Sequence, residues 1–554
     1  MSIRLSLTLA IFAATAAFGA GDPSFEQGLT SDPFFPTRAY FHKHFAPPDT
    51  LVQLAAPVRL TDYVAGGKLE LSLKNYLELV MANNTEIAVQ KVSVQFNTNA
   101  VTRAFGIFDP LASASFAVTR ALSPSGSTLA GASKLNQLTQ PLSLSYQQLL
   151  PTGTSFNVGY TDTKLSTNST FSVVNPQLNS ALNFNVAQPL LRGRGSFITK
   201  LPISIARSRL RGAGFNLQDQ VMQLVSAAEN TYWDVVGARE SLRVQEESLK
   251  LSDAALKRAN KELELGATSP LEIFQPQANY ANAQIFVTQA RYQLAETEDA
   301  FRKQIGADLD PAIRDLPIVL TETVNPPEDA REILPEEAIE RAIRLRPDLK
   351  FVRESLEIDD LGIRLANNNL RPNLLFSAQY GSSGLGGISH PTDSLGNMLP
   401  AIPGGIGDAL RQVFGFSYPV YGAALTLQLP IRDRRASADL SDATVQKRLD
   451  ALHERSVMQS IRLQVLTAIK QLQNDRESVR LARVARDLAQ KRVDADQKRY
   501  ELGTTTLFFV LASESDFTVA ESALVSNSIR YYRDLTNLLL RTGQLLEERG
   551  IVVQ

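Results

Sequence analysis

Few residues of this chain could carry out chemistry, and their spacing argues against it. The 554 residues include four histidines (His42, His44, His390 and His453) and no cysteine. His42 and His44 flank Lys43 and could touch a metal ion. With no acidic residue or Cys beside them, an exposed loop pair is the better reading. Without Cys there are no disulfides, thiolate metal sites or cysteine nucleophiles. No Ser/His/Asp spacing is present, and no carboxylate pair sits in a pocket-like context. The glycine clusters GLGG (384–387) and GIG (405–407) read as loop residues and are too weak a signal for a phosphate cradle. Trp233, the one tryptophan, adjoins Tyr232, and the pair reads as packing between helices. The sequence therefore predicts no enzyme, no cofactor and no metal site.

The bulk numbers narrow the class. Lys and Arg number 56 and Asp and Glu 57, for a net charge of −1. That balance argues against a nucleic-acid binder. Apolar residues at 44% and charged residues at 20% describe a folded protein. Residues 1–20 read as a secretory signal, with Arg4 as the positive region and an Ala-rich apolar run too short to span a bilayer. No later apolar run reaches spanning length. The mature chain is expected to be exported and to have no transmembrane helix.

Behind these residues stand two kinds of element, and each occurs in both halves. The segment RESLRVQEESLKLSDAALKRANKELELG (239–266) aligns without gaps on RESVRLARVARDLAQKRVDADQKRYELG (476–503), with nine of 28 positions identical at an offset of 237. At an offset of 262, Asn84 to Ile87 fall on Arg346 to Leu349, and Pro110 falls on Pro372. Each half reads as helix, strands, very long helix, Gly corner and returning helix. Residues 431–502 hold no Gly or Pro, and Ile461, Val465, Ile469 and Leu472, then Leu481, Val484 and Leu488, mark a narrow coiled-coil seam. Such a run reaches roughly 100 Å at about 1.5 Å per residue. It ends at Gly503, as its counterpart ends at Gly266, where a reversal favours positive φ.

The strands alternate with a period of two. Ala112, Ala114 and Phe116 form one series, Leu142, Leu144 and Tyr146 a second, Phe156, Val158 and Tyr160 a third, and Leu182, Phe184 and Val186 a fourth. The second half adds Phe376, Ala378 and Tyr380, then Leu425, Leu427 and Leu429. One apolar face and one uncharged polar face fit a half-buried soluble sheet or, with an export signal, a membrane barrel. Residues 123–133 and 381–405 are polar and suit extracellular loops. Leu150, Pro151, Thr152 and Gly153 give a short turn suited to the periplasmic side. These segments predict six strands per protomer.

This order resembles the TolC family of trimeric outer-membrane efflux channels. The resemblance is carried by LSLKNYLELVMANNTEI (71–87), FDPLASASF (108–116), LPTGTSF (150–156), QPLLRGRG (188–195), YWDVVGARESL (232–242), RPDL (346–349), RPNL (371–374) and the two Leu-Gly corners. No single motif is specific, but together they span residue 71 to about 541. The implied fold is a mixed α and β membrane protein. Long coiled-coil-like helical hairpins form a periplasmic tunnel, and antiparallel strands contribute to a trimeric transmembrane β-barrel, from two internal repeats. The boundaries would be 1–20 signal, 21–67 extended Pro-rich segment, 68–316 first repeat (strands 110–190, hairpin 197–306), 317–334 equatorial linker, 335–545 second repeat (strands 372–430, hairpin 431–545) and 546–554 tail.

The resemblance also implies function, partners and sites. The chain would be the exit channel of a tripartite efflux or secretion system in the cell outer membrane. It would work as a homotrimer in outer-membrane lipid, with a periplasmic adaptor protein and an inner-membrane transporter, and bind no nucleic acid. Leu265, Gly266 and Ala267, with Leu502, Gly503 and Thr504, would be adaptor-docking tips. Gate residues carry over by position. The family's acidic ring falls on Phe509 and Ala512 and its basic position on Thr505, so that ring is absent here. Tyr500 falls on a tyrosine position and Glu272 on its carboxylate partner. Phe508 and Phe509, more so the latter, become candidates for an apolar constriction. Two rivals are a periplasmic adaptor-type coiled coil, which would carry one hairpin rather than two, and an exported structural coiled coil, which needs no matched corners.

Overall fold

The computed structural model describes residues 37–45, 57–126, 131–170, 172–266, 269–326, 333–391 and 399–552. Residues 1–56 and 57–554 are separate compact units. The proposed signal, 1–20, lies outside the described residues. In the first unit the described element is helix α1 (Arg38–Phe45), which carries His42. The 21–67 segment was expected to be extended. Its described parts instead hold α1, a 3₁₀ turn at Leu60–Tyr63 and strand β1 (Val64–Ala65).

The second unit opens with that 3₁₀ turn and β1 and continues with β2 (Lys68–Leu71), α2 (Leu73–Asn83) and α3 (Thr85–Phe105). Ser72 caps α2 by accepting from the Asn75 N–H, and the Asn84 carboxamide caps α3 by accepting from Glu86 and Ile87 N–H groups, which satisfies donors a helix start leaves free. The offset of 262 carries both helices onto α6 (Pro335–Leu345) and α7 (Pro347–Asn369), residue for residue at their starts. Arg346 stands where Asn84 stands. Pro347 takes the first helical position there, where a missing N–H costs nothing.

Two long hairpins follow. The first pairs α4 (Leu201–Glu264) with α5 (Phe274–Gln304), and the second pairs α9 (Arg434–Glu501) with α10 (Leu507–Thr542). At ~1.5 Å per residue, the 64 and 68 residues of α4 and α9 each extend roughly 100 Å. Their apolar stripes build two cores. In one, Tyr76 of α2 stacks on Phe301 of α5 at 4.2 Å between ring centroids, against fully buried Tyr232. In the other, Ile461, Val465, Ile469 and Leu472 pack with Leu538 and with Ile339 of α6, so this part of the predicted seam is buried, whereas Leu481, Val484 and Leu488 are exposed within the chain. Trp233 is buried and stacks on Tyr532 at 3.9 Å, nearly parallel, as packing between helices requires.

Buried charge ties the two halves together. The Glu229 carboxylate of α4 is fully buried and accepts from Arg549 and, at 2.8 Å, from the Thr536 hydroxyl of α10. Two further carboxylates on α9 face another acid. Asp450 meets Asp359 of α7, and buried Asp475 meets Asp534 of α10. Burial, then the neighbouring Asp534, pushes Asp475 up to about 7, so its protonated form is favoured beside that second acid.

The strands form one antiparallel sheet in the order β10, β9, β7, β6, β5, β3. They are β3 (Leu111–Phe116), β4 (Thr119–Pro124), β5 (Lys134–Leu149), β6 (Ser155–Thr167), β7 (Val174–Pro189), β9 (Asn373–Ser389) and β10 (Pro419–Gln428). Both β3 and β4 pair with β5, so they are two pieces of one rank and the sheet has six ranks. A separate small sheet joins β2 to β1 and, in parallel, to β8 (Ile318–Leu320), which lies in the 317–334 linker.

Register sorts the large sheet's faces. Tyr421, Tyr380, Phe184, Val158, Tyr146 and Ala112 form one row across all six ranks. The row beside it, on the other face, is Gly422, Gln379, Asn185, Asn157, Gln147 and, on β3, Leu111. The β5–β6 turn is closed by Leu150 N–H to the Thr154 carbonyl at 2.8 Å. It lies against Gly193 and Thr199, at the sheet's helical end, where a short turn was expected.

At the opposite end the structure corrects the sequence reading. Residues 381–389, read as part of a long loop, continue β9, and GLGG lies within it. GIG opens helix α8 (Ile406–Phe414). Glycine in a strand looked like a loop signal, but here it makes room. A Cβ at Gly384 would fall 2.3 Å from the Ala409 carbonyl oxygen, so α8 sits directly on this strand.

Candidate functional site

The hairpin corners carry the predicted site. Helix α9 ends in a Schellman arrangement, with Gly503 N–H donating to the Tyr500 carbonyl at 2.9 Å and Thr504 N–H to that of Arg499 at 2.9 Å. The Thr504 hydroxyl donates to the same Arg499 oxygen. Gly503 has φ of 72° and Gly266 has φ of 70°, a region where a Cβ costs energy. Neither has an atom within 4 Å of where a Cβ would stand, so glycine serves conformation here and not packing. Leu265 and Leu502, the residues just before them, are 83% and 78% exposed. The chain thus presents two apolar knobs in identical backbone settings. Ala267 lies outside the described residues.

The two arms also match in length. Gly306, two residues past the end of α5, and Gly543, directly after α10, are both at positive φ and again 237 apart. From corner to closing glycine each returning arm therefore spans 40 residues.

Behind the second corner, Phe508 and Phe509 pack edge to face, 5.6 Å between centroids, and are 59% and 52% exposed. Their neighbours Val510 and Leu511 are buried. Within the chain, then, the inner core of this turn is Val510 and Leu511, and both phenylalanines are left available.

Tyr500 does bond a carboxylate, but not the expected one. Its hydroxyl donates to Glu262 at 2.6 and 2.7 Å to the two oxygens. Glu262 precedes Gly266 by four residues on α4, while Tyr500 precedes Gly503 by three on α9, so the two stand almost equally far from their corners. Glu272 lies past the corner, in the turn leading into α5, and only adds its field at Tyr500. Burial, followed by the Glu262 bond and charge, pushes the Tyr500 hydroxyl up to about 12. The Arg258 guanidinium lies 5.8 Å from the ring centre.

Sequence reading also missed the charges of α10. Glu514 accepts from Gln497 at 3.4 Å, and Asp516 accepts from Arg492 at 2.7 Å. Burial raises the Glu514 carboxyl. Positions 509 and 512 lack acids, but the next turns carry them, bound to α9. Their hydrophilic spacing alone resembled an ordinary solvated helix face. Among the described residues, no group of His, Asp and Glu could hold a metal ion, and no helix is long and apolar enough to cross a membrane.

Long paired hairpins, matched corners and one antiparallel sheet with an apolar face define an outer-membrane channel protein. The profile of the family described as outer membrane efflux protein matches residues 148–307 and 338–544, and the chain belongs to that family. Comparison with individual characterised sequences gives no significant match. Among solved structures, a membrane protein from Pseudomonas aeruginosa aligns with a TM-score of 0.59 at 16% identity, over 90% of this chain and 98% of that one. The CmeC outer membrane channel of Campylobacter jejuni gives 0.57 at 13% identity, over 90% and 94%. The open state of the MtrE outer membrane channel of Neisseria gonorrhoeae gives 0.58 at 14% identity, over 85% and 89%. At such identities the likeness is one of fold.

Proposed function

We propose that three copies of this chain form a passive exit duct for solutes handed over by an inner-membrane transporter through a periplasmic adaptor. The observation that carries this reading is the sheet. It has six ranks, free edges at β10 and β3/β4, an apolar face and an amide- and serine-rich face. Alone it cannot close, because free edges in lipid leave unpaired backbone groups. Pairing β10 of one copy with β3 of the next closes an 18-stranded barrel with the apolar face toward lipid. The doubled helix unit supports a ring of the same symmetry, with four long helices per copy.

In that assembly Leu265, Gly266 and Ala267, with Leu502, Gly503 and Thr504, form the adaptor-docking tips. Phe509, with Phe508, narrows the entrance as an apolar constriction that excludes water. Tyr500 and Glu262 latch α9 to α4 beside it. Glu272 adds negative field at the same place. No step needs catalysis, because the transporter supplies the energy.

The test is assembly and conductance of the full-length protein. SDS-resistant trimers in outer-membrane fractions, and discrete channels in planar bilayers, are expected. A monomer in the soluble periplasmic fraction sinks the reading.

A further inference from the structure

The function just described leaves α8 without a role. This helix sits on the face of the sheet that carries the apolar rows, because Ser382, Gly384 and Gly386 share the face of Tyr380 and Phe376 by strand alternation. Ala409 and Val413 are fully buried against it. The Gln412 carboxamide accepts from the Leu385 N–H and donates to the Leu385 carbonyl, both at 3.0 Å, in the manner of a peptide group. That fixes α8 just beyond the first residue of β10, Pro419, whose register partner is Ser382.

What α8 leaves uncovered is sorted by flank. Ile406, Leu410 and Phe414 recur every four residues and share one flank. Asp408 and Arg411 share another and form an ion pair at 3.8 Å, with the Arg411 side chain 83% exposed. Ile406, Phe414, Phe416 and Tyr418 are all exposed. The apolar surface of α8 reaches the sheet through Phe416. Phe416 stacks on Tyr380 at 5.7 Å, and Tyr380 belongs to the row with Tyr421, Phe184 and Tyr146. Aromatic rows of this kind mark the edge of a barrel's lipid belt.

We propose that α8 is an interfacial helix, laying its Ile406, Leu410 and Phe414 flank into the boundary between lipid chains and headgroups and turning Asp408 and Arg411 toward water and lipid phosphates. Two features select lipid over a second copy as the occupant. The helix lies over β9 and β7, inboard of the β10 edge where the next copy pairs. Its apolar surface also reaches the sheet's lipid face through Phe416. A short helix with one apolar and one charged flank is what the bilayer boundary holds. The inference rests on the barrel reading and is tested apart from it.

The chain has no cysteine, so single labels can be placed cleanly. Spin labels at F414C, R411C and, as a barrel control, L425C are to be compared in the full-length protein in phosphatidylcholine vesicles containing phosphatidylglycerol. Collision with oxygen reports lipid, and collision with a water-soluble nickel chelate reports solvent. The inference expects the oxygen-to-chelate ratio at 414 to exceed that at 411 several-fold and to approach that at 425. In a G384V background, which unseats α8, the 414 ratio should fall toward the 411 value while 425 holds. A lipid-exposed 425 with 414 as wet as 411 overturns the inference and leaves the barrel standing. So does a 414 label shielded from both reagents, which places a second copy there. A 425 label without lipid contact removes the barrel reading and α8's role with it.

Discussion

Tyr500 of α9 donates its hydroxyl to both carboxylate oxygens of Glu262 of α4, joining two helices of different hairpins three and four residues before their corners. Replacing Tyr500 with Phe removes this bond and leaves Glu262 facing a ring edge. A charged acceptor makes the loss about 1.5–3 kcal/mol if shielded. The expected outcome is normal assembly with raised resting conductance in bilayers.

The same pair gives an alkaline test. The folded-state value of Tyr500 stands above its ordinary value of 10.0, at about 12, so the neutral hydroxyl is favoured by folding. Its contribution is complete below pH 10 and is lost as pH rises through the folded value. Wild-type conductance should climb across that window, and Tyr500→Phe should flatten the climb. A wild type insensitive there would exclude the latch.

Asp475 gives the complementary test near neutrality. Its folded value is raised from 3.8 to about 7 by burial and by Asp534, so protonation is favoured in the folded state. The contact contributes fully below the ordinary value and weakens as pH rises through the raised one. Gln471 donates to Asp475, and Arg530 opposes the shift. Asp475→Asn should therefore melt higher than wild type at pH 8 by an amount worth about 1 kcal/mol or more, with the difference smaller at pH 5 and vanishing only below the ordinary carboxylate value of 3.8. Equal melts at both values would exclude a raised Asp475.

How much of this was legible in the sequence differs by kind of signal. The period-two runs, the Ile461 seam and the two corners were readable because periodicity and glycine report local backbone directly. Helix α8 and the upper half of β9 were not, because Gly384 and Gly386 answer to a helix that arrives 20 residues later. The partner of Tyr500 was missed for a related reason. Position counted from a corner located Glu272, whereas the long side chains of Tyr500 and Glu262 reach each other between α9 and α4. Glu229 gave no sign, since its guanidinium partner lies 320 residues away.

Arg549→Ala should reveal that buried pair. Removing the guanidinium leaves Glu229 in a dry site with only the Thr536 hydroxyl, at a cost of about 3–5 kcal/mol. Thermal melts should fall sharply and trimer yield with them. Glu229→Gln with Arg549→Ala should recover much of the loss, which a mere packing defect at Arg549 cannot explain.

At the corners, Gly503→Val and Gly266→Val should each cost roughly 1–2 kcal/mol for a side chain at positive φ, with no clash added. Trimers should survive while export in cells and cross-linking to the adaptor fail. Phe509→Ala should instead leave cross-linking intact and raise the resting conductance. Export that persists in both glycine variants removes the docking assignment.

The equal 40-residue arms, from Gly266 to Gly306 and from Gly503 to Gly543, act like legs of a stool cut to one length. In the proposed ring of three copies, equal arms would bring all six corners toward one level, so whatever stands beneath them would meet a level rim. A heptad removed from one arm alone would leave three feet short and the stool rocking on the other three. Only the same cut made in both arms would return it to the floor.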